Sequence, residues 1–297
     1  MATAREIRRH MKSVSNIGKI TKAMKMVAAA RLRRAQDRAA ASRPYAIKIR
    51  EVLSHVVADE GILAGLDVKK HPLLQKRETV KKVAYLVVCS DKGLAGAYSS
   101  NVLKMALAEI KKCQNEPVII TSGRKARDFF THRGYNVVKS YIGISDRPQY
   151  VNAEEIAKDA AERFAAEEFD ELYIVYTVFK NALSQVPTMD KVLPVEPPEK
   201  DENSSGVSAE FMFEPSEDEI LSALAPKYLE TVIFAALVQS AASELGSRMT
   251  AMTSATDNAA ALVSNLELSY NKARQAGITR ELNEIVGGVE ALKQAQN

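Results

Sequence analysis

Leu245, Met249, Met252, Thr256, Ala259, Val263, Leu266, Tyr270 and Ala273 follow one another at alternating steps of four and three residues without a miss. That spacing is a heptad seam, and its small members let two helix backbones approach closely. The seam lies in a stretch that runs from Ser216 to Asn297 with one proline, Pro226, near its start. Ser216 with Glu219 three residues on forms a capping box, and acids fill the first turn where the helix dipole favours them. Eighty-two helical residues would reach roughly 120 Å at ~1.5 Å each, beyond the diameter of any domain this chain could build. A helix so long and so weakly hydrophobic needs a partner helix. A second phase, Ile278, Leu282, Ile285, Val289 and Leu292, takes over near the end and predicts a shift of packing face.

The partner is available at the other terminus. Residues 3–57 hold no Gly except Gly18 and no Pro except Pro44. Ile7, Met11, Val14, Ile17, Ile20, Met24 and Val27 recur every three or four residues as one apolar stripe. Pro44 is expected to bend or break the helix, because it removes a donor and clashes with the preceding turn. The breakers of "DEGILAGLDVKKHP" then end it.

Between the two, apolar runs alternate with helical patterns. "KKVAYLVVCS", "EPVIITSG", "YNVVKSYIG" and "ELYIVYTVFKN" read as strands; "VLKMALAEIKKC", "RKARDFFTHRG" and "AEEIAKDAAERFAAEEF" read as helices. "VPTMDKVLPVEPP" adds a strand before the polar tract "EPPEKDENSSG", a flexible loop, and "SAEFMFEP" is strand-like. The fold class is therefore α/β: a long antiparallel coiled coil of N- and C-terminal helices with an inserted open, Rossmann-like α/β domain whose sheet is largely parallel. The expected boundaries are 1–57 for the first helix, 80–215 for the globular domain and 216–297 for the last helix.

Charge is distributed unevenly. Residues 1–50 carry 14 Lys/Arg against Glu6 and Asp37, a net of +12, and the remaining chain holds 27 basic and 35 acidic residues. One end thus presents a cationic surface to an acidic partner. Nucleic acid is the first alternative, through counterion release at phosphates, although the cations interleave with an apolar seam and no zipper-plus-basic-region order is present. A membrane surface calls for bulky Trp, Phe or Leu, where Met, Val and Ala dominate here. Acidic protein loops fit best, since they use the charge without competing for the seam; the bland alternative is a solvated face of a coiled coil. No apolar run approaches the ~18–20 residues that span a bilayer; "VIFAALV" at 232–238 is far short. The start is Arg-rich and acid-poor like a transit peptide, yet its helical pattern continues past residue 30.

Signals for chemistry are sparse. "CSDKGLAGAYSSN" places Gly93 and Gly96 between a strand and a helix, where a nucleotide fold binds phosphate. The pattern is G-x-x-G, not G-x-G-x-x-G, and no P-loop exists; the glycines read as shapers of a tight turn. Asp91 and Lys92 beside them are expected to be solvated. His10, His55, His71 and His132 are scattered, and Cys89 and Cys113 lie far apart, as buried small hydrophobes in a reducing compartment rather than a disulfide or zinc site. No catalytic, cofactor or metal residues are assigned, and no cofactor is expected. An enzyme using the α/β domain on a nucleotide is the remaining alternative.

"EIRRHMKSVSNIGKITKAMKMVAAARLRRAQ" and "RMTAMTSATDNAAALVSNLELSYNKARQAGITRELNEIVGGVEAL", with "SDKGLAGAYSSN" between them, resemble the gamma-subunit family of F-type ATP synthases in its bacterial form. The resemblance covers essentially the whole chain. It implies a non-catalytic central rotor shaft that couples ion-driven rotation of the c-ring to ATP synthesis or hydrolysis. The implied partners are the alpha and beta subunits, epsilon and the c-ring, with no nucleic acid and no direct membrane insertion. The implied location is the cytoplasmic face of the bacterial membrane, as a peripheral part of the complex. Met24 and Lys25 match the segment facing the acidic lever loop of beta. Arg248, Arg274, Gln275, Thr279 and Glu281 match coupling positions, and Phe211, Phe213 and Glu214 match the foot at epsilon and the c-ring. Leu245, Met249, Met252, Val263, Leu266 and Tyr270 are the seam. The cysteine-bearing insert of plant chloroplast forms is missing, so thiol regulation is not implied.

Overall fold

The computed structural model describes residues 3–58, 71–113, 115–195 and 217–295. Helix α1 covers Ala4–Ala58 and helix α5 covers Glu217–Ala295. Between them lie β1 (Lys82–Val88), α2 (Tyr98–Lys112), β2 (Glu116–Ser122), α3 (Arg124–Thr131), β3 (Val137–Tyr141), α4 (Tyr150–Ala165), β4 (Glu171–Phe179) and β5 (Gln185–Leu193). The "SAEFMFEP" segment, the "EPPEKDENSSG" tract, the Ser216 cap and the foot residues Phe211, Phe213 and Glu214 fall outside the described residues. The chain forms two compact units, Met1–Val27 with Met249–Asn297, and Ala28–Arg248. The division falls within α1 and α5, not at their ends.

In the larger unit the sheet runs β3-β2-β1-β4-β5. β1 pairs in parallel with β2 and β4, and β2 with β3, while β5 returns antiparallel to β4 as a hairpin. β1 is covered on both faces, which is why it reads as a continuous apolar run. Val83, Tyr85 and Val87 face Val102, Leu103, Ala106 and Ile110 of α2 and Ala126 and Phe130 of α3. Ala84, Leu86 and Val88 face Ile156, Ala160 and Phe164 of α4 together with Leu221, Leu229, Ile233 and Leu237 of α5. The first third of α5 is thus a core helix of the α/β unit. An 18-residue window in α5 does reach a mean hydropathy of 1.5, enough by length and composition to cross a bilayer. This corrects the expectation that no segment comes near that length. Leu221, Leu229, Ile233 and Leu237 spend that hydrophobicity on the sheet.

Helicity continues through Pro44 where a local break was open as an outcome. Leu32 on one side and Ile49 and Leu53 on the other are buried, and their burial, at about 1.5–3 kcal/mol each, outweighs one missing backbone bond.

In the smaller unit α1 and α5 pair antiparallel. The Thr21 and Thr256 hydroxyls share a hydrogen bond of 2.8 Å, and a Cβ built on Gly18 would lie 3.3 Å from that of Ala259. Numbers that rise along one helix fall along the other, as antiparallel pairing requires. The buried face of α1 differs from the expected stripe. It runs through Ile7, Met11 and Val14 and then steps to Gly18 and Thr21. Ile17, Ile20 and Val27 are left 51%, 60% and 52% exposed. The reason is steric. After Val14 the heptad alternation continues by a step of four onto glycine and threonine, which permit close approach, whereas isoleucines at 17 and 20 would hold the helices apart. On α5, Met252 and Ala259 are buried and Met249, Val263, Leu266, Tyr270 and Ala273 half-buried, with the residues flanking the seam from Ser264 to Lys272 exposed. Leu245, the first seam residue, is buried in the larger unit. The second phase finds no packing face among the described residues: every described side chain from Ile278 to Val289 is exposed.

Candidate functional site

β1 and β4 stop pairing at Val87 and Val175, so beyond that point β4 offers unpaired backbone groups toward α5. Buried backbone donors and acceptors must find partners, and α5 supplies them. Ser240 Oγ accepts the Thr177 N–H at 3.3 Å, Gln239 Oε1 accepts the Phe179 N–H at 3.1 Å, and Ser243 Oγ donates to the Thr177 carbonyl at 3.0 Å. Phe179 presses so close to Gly246 that a Cβ there would meet its ring at 2.9 Å.

The clamp extends into the glycine loop. Ser247 Oγ donates to the Ala95 carbonyl at 2.8 Å, and the Arg248 guanidinium donates to the Gly93 carbonyl at 3.3 Å and to the Glu244 carboxylate. The loop therefore turns carbonyl oxygens into α5, which is the opposite of the converging N–H groups a phosphate needs. Of its two glycines only Gly96, at φ 55°, requires the left-handed region; the other left-handed residue is Leu94, at φ 63°, not Gly93. α2 begins without a side-chain cap. The turn-shaping reading is the one realised, and the loop is a seat for the long helix.

Asp91 is not solvated as expected. Its carboxylate accepts the backbone N–H groups of Arg124 at 3.0 Å, Gly143 at 2.9 Å and Ser145 at 3.2 Å. Burial alone would raise its pKa, but these bonds to the charged form outweigh it and hold the group below the ordinary aspartate value of 3.8. Asp91 thus ties together the loops after β1, β2 and β3. Asp91→Ala leaves three donors without their acceptor and is expected to cost about 1–3 kcal/mol near neutral pH. Because the folded pKa is depressed, the carboxylate's contribution is full above 3.8 and fades as pH falls through the lower folded value. Denaturant unfolding at stepped pH should show the gap between the protein and the variant closing only in that acid range.

Lys92 is exposed but pairs with Asp146, which also takes Arg31 of α1 at 3.3 Å and lies 4.0 Å from Arg248. Arg248 is buried at 8% exposure and Glu244 at 1%. Burial pushes the Glu244 carboxyl up, and Arg248 opposes the rise. Asp146, Glu244 and Ser247 carry no motif, and sequence reasoning missed them; the one available sign was the Glu244–Arg248 spacing of four on a helix.

The remaining candidates are dispersed. Met24 and Lys25 are half-buried in the smaller unit, and Arg274, Gln275, Thr279 and Glu281 are exposed on α5. Arg274 lies over the Tyr270 ring at 6.0 Å. Arg248 is not on that surface: its head is engaged inside the larger unit. Among the described residues no group of three or more His, Cys, Asp or Glu is placed to hold a metal ion.

Two terminal helices that pair antiparallel in one unit, and an α/β unit that lies between them in sequence and holds the first part of the second helix, define a two-helix subunit with an inserted α/β domain. Residues 3–292 match the family described as ATP synthase. The ATP synthase gamma chain of Desulforamulus reducens is 47% identical over 293 residues, covering 99% of this chain and 100% of that one. That of Brevibacillus brevis is 48% identical over 290 residues, covering 97% and 98%. The chain belongs to the ATP synthase gamma chain family. A chain in the Euglena gracilis mitochondrial ATP synthase OSCP/F1/c-ring structure shares the fold, with a TM-score of 0.66 at 18% identity over 99% of this chain and 96% of that one. The central stalk/c-ring structure of the Tetrahymena thermophila enzyme gives a TM-score of 0.57 at 24% identity, covering 80% and 99%. Family membership does not favour the nucleic-acid alternative.

Proposed function

We propose that this chain is the non-catalytic central shaft of a bacterial F-type ATP synthase, coupling c-ring rotation driven by protons or sodium ions to ATP synthesis or hydrolysis on beta. The observation that carries the reading is the bare apolar end of α5. Ile278, Leu282, Ile285, Val286 and Val289 are each between 48% and 64% exposed. A run of large apolar side chains without cover marks a contact surface for another protein. A ring of alternating alpha and beta subunits around the shaft supplies such cover. Ile17, Ile20 and Val27 add a second apolar strip beside the cations of α1.

Coupling then works through differential contact. An asymmetric shaft touches the three beta subunits differently at any instant, and each contact biases one nucleotide site toward a different affinity. In this reading Met24 and Lys25 meet the acidic beta loop, and Arg274, Gln275, Thr279 and Glu281 meet beta along the far end. Phe211, Phe213 and Glu214 form the foot at epsilon and the c-ring, on the cytoplasmic face of the membrane. Arg248 acts indirectly, by holding α5 to its seat.

Purification of the tagged chain should bring down alpha and beta subunits in stoichiometric amount; their absence ends the proposal. Lys25→Glu reverses charge at the proposed beta contact and is expected to lower ATP-driven ion pumping more than assembly. Pumping and hydrolysis equal to the unaltered complex would remove Lys25 from the coupling surface.

A further inference from the structure

Arg31, Arg34, Ala35 and Arg38 stand on one face of α1, at the spacing that brings side chains of successive turns together. Facing them is the loop Asp146, Arg147 and Pro148, and Val238 and Ala241 of α5 close the floor. These residues, all in the larger unit, line an open cavity of about 130 Å3, with Arg34, Arg38 and Arg147 exposed at its mouth. Four guanidinium groups line it against a single carboxylate. Asp146 is already engaged by Arg31 and by Lys92, with Arg248 at 4.0 Å. Arg34, Arg38 and Arg147 have no ion-pair partner among the described residues.

We infer that this cavity is a binding site for a small phosphoryl oxyanion, held by Arg34, Arg38 and Arg147. The charge excess defines the sign of the ligand. Its geometry defines the class: a guanidinium offers parallel N–H donors that match two oxygens of a phosphate, which a halide cannot use. The buried Pro148, Val238 and Ala241 bring no side-chain acceptors to compete for those donors. Its lining does not include Met24 or Lys25, so this inference does not depend on the beta-loop contact proposed above. Free inorganic phosphate and the terminal phosphate of a nucleoside diphosphate share the required chemistry.

Calorimetric titration of the full-length chain with sodium phosphate, against sodium chloride at matched ionic strength, tests the assignment. Saturable one-site binding is expected with phosphate only. Arg34→Gln and Arg147→Gln should each weaken it at least tenfold, while Lys111→Gln on the exposed face of α2 leaves it unchanged. Helix content measured on each variant guards against misfolding, which these exposed positions are not expected to cause. A parallel titration with ADP separates the sources: tighter binding than phosphate assigns the site to a nucleotide tail, weaker binding to the free anion. Equal response to chloride, undiminished binding in both arginine variants, or binding of a glutamate-rich peptide but not phosphate would overturn the inference.

Discussion

Replacing Arg248 by alanine is expected to destabilise the chain by about 3–5 kcal/mol, the loss typical when one member of a buried ion pair is removed. Glu244 is 1% exposed and has Arg248 as its partner across one helical turn. Without the guanidinium, burial and then the nearby Asp146 and Asp91 carboxylates act on the carboxyl unopposed, and its pKa rises further above the ordinary 4.5. A carboxyl with a raised folded pKa opposes folding when ionised. The variant should therefore regain stability as pH falls from that raised value toward 4.5. Glu244→Gln in the same background removes the unpaired charge and should restore much of the loss at neutral pH. Denaturant midpoints of the two variants, compared across an acid-to-neutral pH series, check both statements. A single variant as stable as the unaltered chain would show that the pair is not what seats α5. Under the coupling role proposed above, the same variant in the assembled complex should uncouple hydrolysis from pumping through a loosened seat, with no change at the surface that proposal assigns to beta.

Ala259→Asp carries the second large effect. Its side chain is 8% exposed on the seam of α5, and the residue opposite it is Gly18, where even one added carbon would lie 3.3 Å away. Glycine brings no side chain to pair with a carboxylate, and the close approach leaves little room for water to solvate one. The expected cost is again about 3–5 kcal/mol, from a buried unpaired charge. Val263 and Leu266 are only half-buried, so aspartate at either position stays partly hydrated and costs less. The ordering of the three by thermal melting is itself the check. Equal effects would mean that all three are shielded alike and that a helix-pairing seam does not run as described.

Much of this architecture is legible in spacing alone. The seam of α5 needs only a period, and period survives in a sequence whatever surrounds it. The strand-and-helix alternation of residues 80–195 is equally plain, because β1, covered on both faces, has to be apolar throughout. The side chains that fasten α5 to the sheet were not legible. Ser240, Ser243, Ser247 and Glu244 are ordinary helix residues until β4 outruns its pairing with β1 and leaves backbone groups for them to satisfy.

Periodicity, then, determined that both ends are long helices and that each has one face to hide. Which face α1 hides was decided by the tertiary structure. Isoleucine at 17 and 20 is the greasier choice, but two backbones meet more closely over Gly18 and Thr21, with Ala259 and Thr256 opposite. Hydrophobicity is a property a residue carries with it, whereas close approach belongs to a pair of surfaces and exists only once they meet.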